Sequence, residues 1–261
     1  MKKIAMFPLI ALAVFIIAAG TASASNITIR DTPPVFTPSG EDNEVEPNCV
    51  QGQIWDLEAF WQSGNTLSMI GGYNFQAGQV GNGLLFKSGD IFIDVNGDAN
   101  WGVATGAGGG EATVSNSLFN YDYVIDINDA FTAYSVYALG SDSLLTVYYN
   151  QNDTSNPWRW VETVRDNVTP VTSGTITLTS FNGANSYGVL GWGGNDNHYL
   201  ATGFDLSFLA PGTNFLAKYT YECGNDNLIG KGTTPPVPEP ATLLLLGSGL
   251  LGLAGFRRKN K

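Results

Sequence analysis

The sequence predicts an all-β fold: a single antiparallel β-sandwich, of which a jelly roll is one form, flanked by an N-terminal signal peptide and a C-terminal transmembrane helix. Three observations carry that prediction. Short runs rich in β-branched and aromatic residues recur between clusters of glycine and asparagine, and glycine alone supplies 32 of 261 residues. Several of those runs alternate with period two, and no stretch between the two ends sustains a helical period with caps. Both ends are apolar, and each carries its basic residues on the outer side.

Residues 1–24 read as a signal peptide. Lys2 and Lys3 form the positive start, Ile4 to Ala19 the apolar stretch, and Ala22-Ser23-Ala24 the small-residue cleavage site, so the mature chain is expected to begin near Ser25. Residues 25–48 form an irregular lead-in, because Asp31 to Asn48 holds four prolines and several acidic residues. The sandwich is placed at 49–230. Its candidate strands are Gln53–Trp61, Thr66–Phe75, Asp90–Val95, Tyr121–Ile127, Ala133–Leu139, Ser143–Asn150, Trp158–Val164, Gly174–Ser180, Ser186–Trp192, Tyr199–Leu209 and Asn214–Glu222. The alternation in Thr175-Ile176-Thr177-Leu178-Thr179 and Lys218-Tyr219-Thr220-Tyr221 predicts one buried and one wet face. Gly224 to Pro240 reads as the way out of the domain, with the linker proper at 231–237.

Residues 238–261 begin with Pro238-Glu239-Pro240, continue as an apolar run from Ala241 to Phe256, and stop at Arg257-Arg258-Lys259-Asn260-Lys261. Sixteen residues at about 1.5 Å rise give a helix of about 24 Å, so snorkelling of the terminal cations or thinning of the bilayer must close the gap to a ~30 Å hydrocarbon core. Basic residues stay cytoplasmic, which places the folded body outside. Leucine and glycine run all round this helix, unlike the amphipathic helix of a soluble domain.

The string Val237-Pro238-Glu239-Pro240-Ala241-Thr242, the Leu/Gly-rich span and Arg257-Arg258-Lys259 together resemble the PEP-CTERM sorting signal of bacteria that make extracellular polysaccharide. The resemblance implies recognition by an exosortase, a membrane-embedded cysteine protease-transpeptidase that cuts near the Pro-Glu-Pro motif and transfers the protein to the envelope or matrix. Signal peptidase and the membrane are the other implied partners, with the extracellular polysaccharide as a possible ligand class. Ser88–Asp94, Tyr121–Ile127 and Glu222–Gly230 also look like stretches of β-sandwich ectodomains in other PEP-CTERM proteins. The activity of those ectodomains is mostly unknown, so this likeness bears on fold and address.

Between the two signals, six basic residues stand against twenty-two acidic ones, a net charge of −16. Such a surface repels polyanions and excludes a nucleic-acid partner. Cys49 and Cys223 are the only cysteines, in a chain bound for an oxidising compartment; a bridge between them is one reading, and two buried thiols the other. Bridged, they close a loop of about 174 residues, for which chain entropy gives roughly 5 kcal/mol.

Candidate chemistry is sparse. Asp94, Asn96 and Asp98 alternate as in the start of a calcium loop, but Ala99 and Thr105 stand where an EF-hand needs glycine and glutamate. An Asn96-Gly97 type I′ hairpin with solvated aspartates is the favoured reading of that segment, and no cofactor other than calcium is suggested. Gly106 to Gly110 lacks the Lys-Ser/Thr ending of a phosphate loop. His198 is the only histidine and is read as a loop residue without function, and no nucleophile elbow is present, so catalytic residues are expected to be absent. Glu58, Glu111, Glu162, Asp126 and Asp166 could supply carboxylate pairs, a property of any acidic chain. Trp158 and Trp160 fall on one face of a strand and could stack on sugar rings, although aromatics at alternating positions more commonly build a core. The expectation is a noncatalytic, exported envelope or matrix protein, with a carbohydrate-binding module as the alternative.

Overall fold

A computed structural model of the chain describes residues 24–29, 50–100, 110–149, 152, 155–161, 168–182, 187–189, 191–237, 247, 249 and 250. Its strands, in chain order, are β1 (Ser25–Asn26), β2 (Thr28–Ile29), β3 (Leu57–Ser63), β4 (Thr66–Gly71), β5 (Gln79–Gly81), β6 (Leu84–Phe86), β7 (Ser88–Asp94), β8 (Gly110–Ser115), β9 (Tyr123–Ile127), β10 (Ala133–Ala138), β11 (Leu144–Tyr149), β12 (Arg159–Trp160), β13 (Thr172–Thr175), β14 (Thr177–Asn182), β15 (Asn197–Asp205), β16 (Asn214–Tyr221) and β17 (Asn227–Thr233). Every pairing among them is antiparallel. The all-β prediction holds.

Three layers arise because one sheet is apolar on both faces. A seven-stranded sheet, β13-β10-β9-β7-β16-β17-β2, lies between a five-stranded sheet, β1-β3-β4-β15-β14, and a three-stranded sheet, β12-β11-β8. On one side Ile91, Ile93, Ile125, Ala217, Tyr219 and Leu228 meet Leu57, Phe60, Leu67, Met69, Ala201 and Phe204 of the five-stranded sheet. On the other, Phe92, Val124, Leu216 and Ile229 meet Leu145, Val147 and Trp160 of the three-stranded sheet. A smaller cluster of Ala59, Ile70 and Val189, with Trp61, Phe181 and Tyr187 around it, covers part of the outer face of the five-stranded sheet.

The N-terminal segment stitches the two larger sheets together. Ser25 and Asn26 pair with β3, whereas Thr28 and Ile29 pair with β17, so the chain changes sheets at Ile27. The Ile27 amide donates to Phe60 O at 2.9 Å, and its carbonyl accepts from Lys231 N at 2.9 Å. Ser23–Val237 is one compact unit.

Several expectations change. Lys218-Tyr219-Thr220-Tyr221 has no wet face, since all four side chains are buried within β16. The three-stranded layer covers the face expected to be exposed, and protein acceptors replace water there: Lys218 Nζ donates to Ser155 O and Pro157 O, and Thr220 Oγ1 to Asp226 O at 2.6 Å. Asn227–Thr233, read as part of an exit linker, is the strand β17 between β16 and β2, buried over its first four residues. β1 and β2 fall inside the expected irregular lead-in. Gly174–Ser180 divides into β13 and β14, which belong to different sheets. Gln53–Trp55 is a 3-10 turn ahead of β3, and Trp192–Gly194 is another 3-10 turn rather than the end of a strand.

The signal-peptide residues 1–23, the lead-in at 31–48 and most of the apolar C-terminal run lie outside the described residues; Gly247, Gly249 and Leu250 are helical. Among the described residues no helix is long and apolar enough to cross a membrane.

Candidate functional site

The densest group of acid-base side chains lies at one end of the five-stranded sheet. Asp56 follows the 3-10 turn, Glu58 occupies the irregularity where β3 slips register between Leu57 and Ala59, and His198 is the second residue of β15. Each is about 1% exposed. Gln53, in the turn, reaches both strands: its Nε2 donates to Glu58 Oε1 at 3.3 Å and to Asn197 O at 2.9 Å. Three glycines make this close approach possible. A Cβ at Gly72 would overlap the Gln53 backbone carbonyl, one at Gly191 would overlap the Gln53 amide, and one at Gly71 would stand 2.8 Å from Asp56 O.

Proton positions follow from the partners. His198 Nδ1 lies 2.9 Å from Asp196 O, a pure acceptor, so Nδ1 carries a hydrogen. Its Nε2 lies 3.2 Å from Glu58 Oε1. Asp56 Oδ2 accepts from Trp192 N at 2.9 Å, and the carboxyl forms a side-chain hydrogen bond with Glu58. Two adjacent carboxylates cannot both ionise out of water. Burial first, and the Glu58 charge second, push Asp56 up to about 9, so it is a neutral acid at pH 7. Among the described residues its Oδ1 receives no hydrogen bond.

A carboxylic acid, a carboxylate and a histidine are the groups of acid-base hydrolysis, but here they face one another and are sealed from solvent. Their contacts join the turn, the β3 irregularity, β15 and the loop around Trp192. His198 is therefore a buried strand residue bonded to Glu58 and stacked on Phe181 at a 5.1 Å centroid distance, not an idle loop histidine. Sequence reasoning named Glu58 and His198 separately and missed Asp56 and Gln53. The Asp56-x-Glu58 spacing was the available signal, since period two places both carboxyls on one side of an extended chain.

The other predicted sites separate. Asp94 Oδ1 accepts from Asn96 N at 3.1 Å and Gly97 N at 3.0 Å, and Asn96 Oδ1 accepts from Asp98 N at 2.9 Å, so these oxygens close the turn on its own backbone. Asp122 joins them, with Oδ2 accepting from Val95 N at 2.7 Å, and burial together with Asp94 and Asp98 raises its carboxyl above the ordinary range. Among the described residues no group of three or more His, Cys, Asp or Glu is arranged to hold a metal ion. The segment is also no type I′ hairpin: Gly97 alone has a positive φ, of 82°, and β7 neighbours β9 and β16.

Trp158 and Trp160 are both buried, Trp160 with its ring 4.4 Å from that of Tyr137, so they belong to the core and offer no open stacking face. Glu111 lies in β8 and Asp126 is buried in β9, while Glu162 and Asp166 lie outside the described residues. Cys223 is buried after β16, and Cys49 lies outside the described residues. Residue 50 is nonetheless fixed: Val50 N donates to Asn225 Oδ1 at 2.6 Å, and Asn225 Nδ2 donates to Val50 O at 2.8 Å.

At the exit, Thr234 is the last buried residue among those described. Its N–H donates to Thr213 O at 2.9 Å and its hydroxyl to Ala210 O at 2.7 Å, after which Pro236 and Val237 are exposed. Pro238, Glu239, Pro240, Arg257, Arg258 and Lys259 lie outside the described residues. A family model described as the PEP-CTERM protein-sorting motif matches residues 236–259, a span that holds all six. The chain carries a PEP-CTERM sorting motif at residues 236–259. It is therefore an exported, membrane-anchored precursor that an exosortase processes for the cell surface. The motif covers the C-terminal signal and leaves the activity of the sandwich unassigned. No curated protein matches the chain, and no solved structure matches it either.

Proposed function

We propose that the sandwich of this protein is a noncatalytic module of the cell envelope or extracellular matrix in an exopolysaccharide-producing bacterium. The burial of Asp56, Glu58 and His198 supports this reading above all. The hydrolytic side chains gathered in the described residues are each about 1% exposed, and they spend their hydrogen bonds on the fold. A hydrolase must bring its acid and base within hydrogen-bond reach of a substrate, and a sealed pair cannot. The net charge of −16 between the signals adds solubility outside the cell.

Incubating the purified protein with a panel of polysaccharides and aryl glycosides tests the proposal, with Glu58→Gln and His198→Asn variants run in parallel. No turnover by the parent protein is expected. Turnover that disappears in either variant overturns the reading and makes the cluster an active site.

A further inference from the structure

The sorting motif starts only a short way beyond the point where the fold grips the chain, and that point is Thr234. Its N–H donates to Thr213 O at 2.9 Å, and its carbonyl accepts from Gly212 N at 3.1 Å. Its hydroxyl donates to Ala210 O at 2.7 Å and accepts from Thr213 N at 2.9 Å. Behind this clamp, β17 is an interior strand, paired with β16 as far as Asn214 opposite Thr233 and with β2 at Thr28 and Ile29. The end of the strand is held from a second side as well, since Thr233 O accepts from Gln62 Nε2 at 2.8 Å. An edge strand can be peeled through one ladder, whereas drawing out the end of β17 breaks contacts on both sides and the Thr234 clamp besides. The chain ahead of the motif therefore does not lengthen readily at the expense of the fold.

Pro235, Pro236 and Val237 separate Thr234 from Pro238. The two prolines have no N–H, so the β16–β17 ladder cannot run on into the motif, and each keeps the residue before it extended. A proline-rich spacer rises about 3.1 Å per residue and no chain exceeds about 3.6 Å, so the steps from Thr234 to Pro238 reach about 12–14 Å. One packed layer of protein is about 10 Å thick. A protease that closes around the motif thus has room for a single layer between its substrate and the end of the fold.

We propose that Thr234 is the positioning residue for exosortase processing: its clamp to Ala210, Gly212 and Thr213 sets where the fold stops, and Pro235-Pro236 hold the motif far enough out for the enzyme to surround it. Without those two prolines the reach from Thr234 to Pro238 falls to about 7 Å, less than one layer. The exosortase must then dislodge the end of β17 or leave the chain uncut.

Pulse-chase labelling of the full chain, in cells that make the exosortase, tests this by the conversion of precursor to the shortened form. Deleting Pro235 and Pro236 is expected to slow conversion about fivefold or more, whereas Gly-Ser in their place restores the length and should keep the rate within about twofold of the parent. Adding Thr234→Pro to the deletion removes the N–H and hydroxyl of the clamp and returns one residue to the spacer. It is expected to raise the rate about threefold even though it weakens the fold. A purely structural role for Thr234 would leave the rate at the deletion level. Conversion of the deletion chain at the parent's rate, equal slowing with Gly-Ser, or no recovery with Thr234→Pro would each overturn the proposal.

Discussion

Replacing Asp56 by asparagine should make this protein more stable at neutral pH. The reason is the proton that Asp56 must keep in order to stay beside Glu58. An exposed aspartate releases its proton near 3.8, whereas folded Asp56 holds it to about 9. Between those values the folded state binds one proton more than the unfolded chain, so this group makes stability fall as pH rises, by up to about 1.4 kcal/mol per pH unit. The loss is absent below the unfolded value and complete above about 9. At pH 7, about 3 units have accumulated, a cost on the order of 4 kcal/mol. Asparagine removes that cost while keeping the geometry. Its Oδ1 accepts from Trp192 N as the acid does, and its Nδ2 donates towards Glu58 where the acid proton lies. Urea unfolding of both proteins at pH 4.5, 7 and 8.5 is the assay. The variant is expected to lead by up to about 4 kcal/mol at pH 7, by more at pH 8.5, and by little at pH 4.5. A variant that is equally or less stable at every pH would refute the assignment of the proton to Asp56.

Three further outcomes follow from the packing. Gly72→Ala drives a Cβ into the Gln53 carbonyl and should cost at least about 3 kcal/mol, whereas Gly247→Ala meets open space and should leave urea unfolding unchanged. Trp160→Ala should destabilise by about 3–5 kcal/mol, as loss of a core aromatic does; a loss of polysaccharide binding with unchanged melting would instead make the residue a sugar platform. The side-chain clamp between Asn225 and Val50 brings residue 50 next to the segment that follows Cys223, so the exported protein is expected to contain a Cys49–Cys223 bridge. Its intact mass should be two hydrogen masses lower before reduction than after, and an unchanged mass would remove the bridge.

The strands with strong alternation or continuous apolar runs were legible in the sequence: β3, β4, β7, β9, β10, β11, β15 and β16 all fall on predicted runs. β17 was missed because glycines interrupt it for reasons that lie across the fold. In β17, a Cβ at Gly230 would press on Phe60 and one at Gly232 on the Phe215 ring, so residues that read as linker are close-packing positions. The same dipeptide also had two outcomes. Asn82-Gly83 turns a hairpin because strands flank it, whereas Asn96-Gly97 ends β7, whose neighbours β9 and β16 come from elsewhere in the chain. The alternation in β16 foretold the strand but not its surroundings, since nothing local reports that a third sheet covers Lys218 and Thr220. Of the buried cluster, Glu58 and His198 were visible as residue types. Their pairing spans 140 positions and depends on a register slip in β3, which no local pattern encodes.

The address is the central claim, and the mature C-terminus tests it most directly. Surface and matrix fractions from cells with and without the exosortase should be compared by intact mass. With the enzyme, the account predicts a chain that lacks the apolar run and basic tail after the Pro238-Glu239-Pro240 region and is recovered at the cell surface. Without it, the uncut precursor should remain in the membrane. A full-length chain with Lys261 still in place at the surface of normal cells would contradict the account.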